Sequence, residues 1–314
     1  MPPLPLLRLP RLILCEVFKS LSISEKIKLS FCSKKTSAEI NNARLYSQKV
    51  IVDLDILHQE IRVLAENSNE TFEIFNCYDN GESNKPYIKQ YRIAGCTVPV
   101  ICFTDEIEIF WKNHREGFLS VTQQLFEMFQ CKISTYIECY LSVSLQPALF
   151  DLFDLQLEFK TLIIFLNGKK GQNVLFNQIS SNFGLVKYLS ISCVPDPGFQ
   201  PVFTSWPQKI IIWNSAWFTL QYLLACTCTT ITLEESHLGN KDLNEILKNW
   251  KAGEFPNLER LKIISHNITN NGTTILGMNL MELVGMVIQT NDGSKKATLR
   301  VRGLGIEMSV TPFD

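Results

Sequence analysis

The chain is poor in the residues from which active sites are most often built. Its four histidines, His58, His114, His237 and His266, are scattered along 314 residues, and a lone His is far more often a surface or satisfied core residue than a base. No Gly-x-Ser-x-Gly elbow is present. Gly168-Lys169-Lys170-Gly171 lacks the Gly-Lys-Ser/Thr ending of a phosphate loop and reads as a tight basic turn. Asp105-Glu106-Ile107-Glu108 and the pair Asp151 and Asp154 read, without partners, as helix-start charge or solvated faces. The ten cysteines include no Cys-x-x-Cys, and Cys226-Thr227-Cys228 has poor zinc spacing with no His in register. No catalytic residue, metal or cofactor is therefore expected. The competing enzyme reading, an α/β fold built on Asp105, Glu106 or His237, requires those side chains to converge in one pocket.

Also missing are a continuous apolar export segment and a membrane span. Prolines 2, 3, 5 and 10, with Arg11, interrupt the apolar N-terminus. Ile210 to Leu233 is an uncharged run of 24 residues, but Asn214, Ser215, Gln221 and five threonines divide it into strand, helix and strand. Unpaired cysteines fit a reducing compartment, cytoplasmic or nuclear. Cys15 and Cys32 are expected as core or boundary thiols, and the sequons at Asn69, Asn267 and Asn271 as chance matches.

What is present is a folded composition, 46% hydrophobic, with a net charge of −1 that hides an asymmetry. Residues 1–50 hold nine Lys/Arg and three Asp/Glu. That basic front has no aromatic interleaving of the nucleic-acid-binding kind, and an acidic protein partner suits it as well.

The first forty-five residues organise the rest. Pro10, with fixed φ and no N–H, suits a helix start, and Leu14, Val17, Phe18 and Leu21 follow at helical spacing. Ser22-Ile23-Ser24-Glu25 reads as a capping box opening a second helix with Ile27 and Phe31. Ser33-Lys34-Lys35-Thr36 breaks the pattern, and Ala38, Asn41, Asn42 and Leu45 fall on a third. Three short helices cannot hide Leu6, Leu7 and Leu12-Ile13-Leu14 from one another, so a covering partner is implied.

This stretch resembles an F-box: Leu9, Pro10, Ile13, Leu14, Val17, Leu21, Ser22, Ile27 and Ser33 stand where that pattern wants them. Leu12 replaces the acidic residue common two places after the Pro. The resemblance implies docking on an acidic Skp-family adaptor, and through it a cullin scaffold, by Leu9, Pro10, Ile13, Leu14, Val17, Leu21 and Ile27.

From Lys49 strands take over without a flexible linker. Lys49 to Leu54, Ile61–Ala65, Thr71–Phe75, Tyr87–Ile93 and Val98–Phe103 suggest an antiparallel sheet broken by Asn67-Ser68-Asn69 and Asp79-Asn80-Gly81. Phe118–Phe129 reads as a helix and Thr135–Leu141 as a strand. Five strands then recur, Thr161–Phe165, Val186–Ile191, Lys209–Trp213, Thr229–Leu233 and Leu258–Ile264. Their anchors Ile163, Leu189, Ile211, Ile231 and Leu261 lie 26, 22, 20 and 30 residues apart, close to the period of leucine-rich repeats. Gln178–Asn182, Val202–Trp206, Leu220–Ala225 and Leu243–Trp250 supply an outer layer, the last capped by Asn240 and ended by Gly253. An open βαβ sheet is the alternative. Val284–Gln289, Lys296–Arg302 and Gly305–Val310 form a closing meander around Asn291-Asp292-Gly293.

Three blocks in this half, Ile211 through Leu220, His237 through Trp250 and Asn291 through Thr298, look like the type-2 F-box-associated domain of a large nematode family. Together the resemblances imply a substrate receptor of a cullin-based ubiquitin ligase, with an F-box at 1–48 and an associated domain at 49–314 that recruits an unknown protein target. The associated domain divides into a β-rich part at 49–150, repeat-like α/β units at 159–265 and closing strands at 284–311. The expected class is α+β, a three-helix front followed by leucine-rich-repeat-like units, with no nucleic acid and no membrane. A protein-interaction scaffold outside a ligase, with a degenerate F-box, is the alternative. Trp213 and Trp217 have the chemistry of interface anchors, but Trp213 ends a buried strand and both sit in a family block, which favours scaffolding.

Overall fold

The computed structural model describes residues 6–43, 50–56, 58–65, 70–79, 88–93, 95–138, 146–155, 158–166, 172–193, 199 and 201–312. These divide into two compact units, one of residues 1–136 and 143–158, the other of residues 137–142 and 159–314. Helices at the N-terminus give way to a sheet-rich remainder, a mixed α+β architecture.

The first unit opens with a 3₁₀ turn, Leu6–Arg8, and three helices, α1 (Arg11–Ser20), α2 (Ile23–Cys32) and α3 (Lys34–Asn42). The capping box forms as its residues dictate: the Glu25 carboxylate accepts the Ser22 N–H at 2.8 Å while Ser22 Oγ accepts the Glu25 N–H at 3.2 Å. Ser33 does more than break the pattern, because its hydroxyl accepts the Thr36 N–H and caps α3. Seven strands follow: β1 (Val50–Asp55), β2 (Glu60–Ala65), β3 (Thr71–Tyr78), β4 (Lys89–Ile93), β5 (Cys96–Cys102), β6 (Glu106–Trp111) and β7 (Lys132–Glu138), with α4 (His114–Phe129) before β7 and α5 (Gln146–Asp154) after it.

Their sheet is mixed rather than antiparallel, since β3 pairs β6 and β1 pairs β7 in parallel. The acidic stretch is strand β6, not a helix start: Ile107 and Ile109 point inward and Glu106 and Glu108 outward, an alternation that only a strand accommodates. Asp151 on α5 is likewise not a bare solvated charge, because Arg115 Nε donates to it at 2.8 Å.

Helix α2 packs on β3 and β4 and buries Ile23, Ile27 and Phe31 completely. Lys28 Nζ fastens it to the carbonyls of Phe103 and Thr104 at 2.6 and 2.8 Å, and Gln124 Nε2 on α4 donates to the Ser30 carbonyl at 3.1 Å. Much of the cover that the helices lack among themselves thus comes from the body of their own unit.

The second unit contains β8 (Phe159–Leu166), β9 (Val186–Cys193), β10 (Lys209–Trp213), β11 (Thr230–Leu233), β12 (Arg260–Ile264), β13 (Val287–Gln289), β14 (Lys295–Arg302) and β15 (Gly305–Pro312), with α6 (Gln172–Ser180), α7 (Leu220–Ala225) and α8 (Asn240–Ala252). Strands β8 to β12 lie side by side in chain order, all parallel. The antiparallel β15 takes the far edge of β12, followed by β14 and β13.

Register places Leu162, Leu189, Ile210, Ile231 and Leu261 in one row, and Ile164, Ile191, Ile212, Leu233 and Ile263 in the next, every one at most 2% exposed. The registered positions 164, 191, 212, 233 and 263 lie 27, 21, 21 and 30 residues apart. Ile163 and Ile211, the sequence anchors on β8 and β10, sit one residue out of phase and therefore on the opposite face.

Buried serines tie each turn to the next. Ser215 N donates to the Glu234 carbonyl at 2.8 Å, Ser236 N to that of Ile264 at 2.8 Å and Ser265 N to that of Leu304 at 2.9 Å. Helix α8 starts one residue earlier than Asn240 suggests: Gly239 is the cap and the Asp242 carboxylate accepts its N–H at 2.8 Å. Gly253, at φ 91°, ends the helix in the left-handed conformation its lack of Cβ allows. No helix occupies Val202–Trp206, which is irregular between Pro201 and Pro207. The expected Gly168–Gly171 turn, the Asn67–Asn69 turn, most of Asp79–Gly81, Leu45 and the junction before Val50 lie outside the described residues.

Candidate protein-interaction surfaces

Helix α1 divides its apolar residues between two faces. Leu14 and Phe18, four apart, are 5% and 0% exposed and pack inward. On the other side Leu12 is 84% and Ile13 51% exposed, beside exposed Pro10 and half-buried Leu9, Val17 and Leu21. Ile13 and Val17, four apart, follow one line along the helix, with Leu9 just before its start and Leu21 at its end. The Pro10 carbonyl accepts the Leu14 N–H at 2.9 Å, which fixes the start of that line.

Of the seven residues assigned to adaptor docking, five are thus at or near this surface, while Leu14 and Ile27 lie in the interior. Leu12, which departs from the family pattern, is the most exposed large apolar side chain described. Its position next to Ile13 in an amphipathic helix was the available signal.

The basic front is partly spent on the unit itself. Lys26 is 1% exposed, and burial pushes its ammonium below the usual lysine range. Lys28 holds the β5–β6 turn, and Lys19 pairs with Glu16 at 2.7 Å. Arg8 and Arg11 remain exposed beside Pro10.

Elsewhere, Trp217 lies against Phe199 at 5.0 Å and Phe218 at 5.7 Å between ring centres, within an aromatic cluster that includes Phe203 and Tyr222. That is a scaffolding role. Trp213 differs: it is 47% exposed, and its indole N–H donates to Ser190 Oγ at 3.2 Å across to β9. It does not end in the interior, and the hydrogen bond holds its ring over the outward sheet face.

Groups that would carry chemistry fall in both units. Asp105 and Glu106 belong to the first unit and exposed His237 to the second. His58 Nδ1 and Asp55 Oδ2 are 2.8 Å apart, and that hydrogen bond raises the His58 pKa. Among the described residues no three His, Cys, Asp or Glu side chains are grouped to hold a metal ion. Cys226 and Cys228 are buried, and their mutual hydrogen bond, with burial, holds the Cys228 thiol well above its usual range. Cys15 is half-buried as expected, whereas Cys32 is exposed. No described helix is long and apolar enough to cross a membrane.

Comparison with known proteins meets these two surfaces in turn. Residues 6–48 match the F-box domain family and residues 199–263 the F-box associated family. The chain is 23% identical over 270 residues to an uncharacterized protein of Caenorhabditis elegans, covering 83% of this chain and 60% of that one. It therefore spans less than two thirds of the curated relative it matches. No solved structure matches. The first match contains the exposed line on α1, and the second runs from the aromatic cluster through β12. The family matches thus place an F-box at residues 6–48 and a type-2 F-box-associated region at residues 199–263.

Proposed function

We propose that the chain is the substrate-recognition subunit of a Skp–cullin–F-box ubiquitin ligase. In this reading the F-box, residues 1–48, holds the Skp-family adaptor, and residues 49–314 recruit a protein target. The observation that carries it is the exposure of Leu12 and Ile13 beside Pro10, inside the residues that match an F-box. Covering Leu12 returns about 1.5–3 kcal/mol and covering the half-exposed Ile13 roughly half as much, and Arg8 and Arg11 complement an acidic adaptor. Leu14 and Ile27 act from beneath, by fixing the pose of α1 and α2. Such a subunit contributes proximity rather than a reacting group, so it works in the reducing cytoplasm or nucleus without a cofactor. The parallel strands with two buried rows support leucine-rich-repeat-like units, the buried serines standing where such repeats place a polar ladder.

The test is co-expression of the full chain with a Skp-family adaptor and cullin. Retention of both by the wild-type chain, and loss of both in the Leu12→Asp/Ile13→Asp variant, is the expected result. Unchanged retention in a folded variant removes the assignment, and adaptor without cullin makes the chain a scaffold outside a ligase.

A further inference from the structure

The sheet of the second unit has a second face, opposite the two apolar rows, and its composition changes from one end to the other. On β12, β14 and β15 the outward positions are Arg260, Lys262, Arg300 and Arg302, with Glu307 between them. Arg260 pairs with Glu307 at 2.8 Å and Lys262 with Glu234 at 2.8 Å. Among the described residues no carboxylate pairs with Arg300 or Arg302, and both are exposed. Lys209 and Lys296 also occupy outward positions, so Glu307 is the one acid among the registered outward positions of β8 to β15, against six cations, with Glu234 directly after β11.

Toward β8 the same face becomes apolar. Ile163 and Phe165 on β8 and Ile211 and Trp213 on β10 flank Ser190 and Ser192 of β9, with the Trp213 indole N–H hydrogen-bonded to Ser190 across β9. Exposed tryptophan and arginine are the side chains that most often dominate interfaces.

We propose that this face binds an acidic polypeptide segment, its carboxylates on Arg300 and Arg302 and an apolar side chain against Trp213. The inference rests on the target-recruiting role proposed above and specifies the chemistry of the target. A polypeptide fits better than nucleic acid, because Glu234 and Glu307 pair with Lys262 and Arg260 and interrupt the cations where a phosphate backbone would run.

The test selects random displayed peptides of about a dozen residues on the full chain, then measures the selected peptides by fluorescence anisotropy. Enrichment of Asp and Glu with one aromatic or aliphatic residue is expected, with binding weakened about tenfold or more in R300E/R302E and in W213A, and by added salt. R300Q/R302Q, which keeps the bulk, should show an intermediate loss. Recovery of no peptide, recovery without acidic enrichment, or equal binding by folded R300E/R302E overturns the proposal, as does tighter binding of polyuridylate RNA that the peptides cannot displace. Adaptor retention is read on the same variants. If the wild-type chain retains the adaptor while no acidic peptide is recovered, or while R300E/R302E binds the peptides equally, this face is wrong and the ligase reading stands; if the peptides behave as expected while the Leu12→Asp/Ile13→Asp variant still retains the adaptor, the ligase reading fails and this face stands.

Discussion

Trp111 and Gly117 are in such close contact that a Cβ on Gly117 would lie 2.3 Å from Trp111 Cγ. The indole is held in place because its Nε1 donates to Asn76 Oδ1 at 3.1 Å, and Asn76 Nδ2 donates to the Gln59 carbonyl at 2.9 Å. Gly117→Ala must displace the ring or the first turn of α4, at a cost of about 1–3 kcal/mol or more despite the better helix propensity of Ala. Chemical denaturation should show a lowered midpoint, and an unchanged or raised one would mean that the ring moves freely.

Exposed and buried positions of the F-box should separate cleanly. Ile27→Ala removes a fully buried side chain between α2 and the sheet and should cost about 2–5 kcal/mol of stability. Ile13→Asp should change stability by about 0.5 kcal/mol or less while eliminating adaptor binding. Thermal melts and pull-downs on the same preparations distinguish the two.

Asn240 is a loop anchor. Its Nδ2 donates to the Thr269 carbonyl at 2.6 Å and to Asn271 Oδ1 at 3.1 Å, and its Oδ1 accepts the Thr269 N–H at 3.1 Å. Asn240→Asp keeps the shape but places an acceptor against two acceptors, so a loss of about 1–3 kcal/mol is expected. That loss should shrink in acid as the new carboxyl regains a proton to donate. A pH-independent deficit would show that the contacts do not hold the loop.

The turn between β13 and β14 carries a pH dependence of the opposite kind. Hydrogen bonds from Thr290, and from the Ser294 N–H and hydroxyl, lower the Asp292 pKa from 3.8 to about 2. A depressed folded pKa stabilises above the unfolded value and loses that contribution as pH falls through the folded one. The hairpin should therefore loosen between about pH 4 and pH 2, and Asp292→Asn should abolish that step. Carboxyl chemical shifts across this range provide the measurement.

Thiol labelling should divide the cysteines by environment. Cys32, Cys96 and Cys102 are exposed and should react in the native protein, whereas Cys131, Cys226 and Cys228 are buried and should wait for unfolding. Burial pushes the Cys131 thiol up to about 12, which removes the reactive thiolate at neutral pH. Mass spectrometry of peptides alkylated under native conditions gives the order.

Where one local pattern dominated, the chain was legible. Lys209–Trp213 and Leu220–Ala225 match their elements residue for residue, because β-branched residues fill the strand and the helix lies between clear breaks. The phase of the sheet was harder to read: Leu162 to Phe165 and Ile210 to Ile212 are continuous apolar runs, and period two leaves no mark in such a run. In β6 the outward glutamates masked an ordinary alternation. Asn240 misled because its side chain serves the loop at Thr269 rather than its own helix end. The exposed line on α1 was legible as a motif, but that Leu12 rather than Leu14 faces outward depends on the packing of Leu14 and Phe18.

The antiparallel strand β15 occupies the free edge of β12, and this fixes where the molecule can grow. A duplicated unit of about twenty residues could be accommodated between two existing parallel strands, lengthening both apolar rows by one rung. Added after the meander, the same unit would find no open parallel edge on β12, so variation in length within such proteins is expected upstream of that strand.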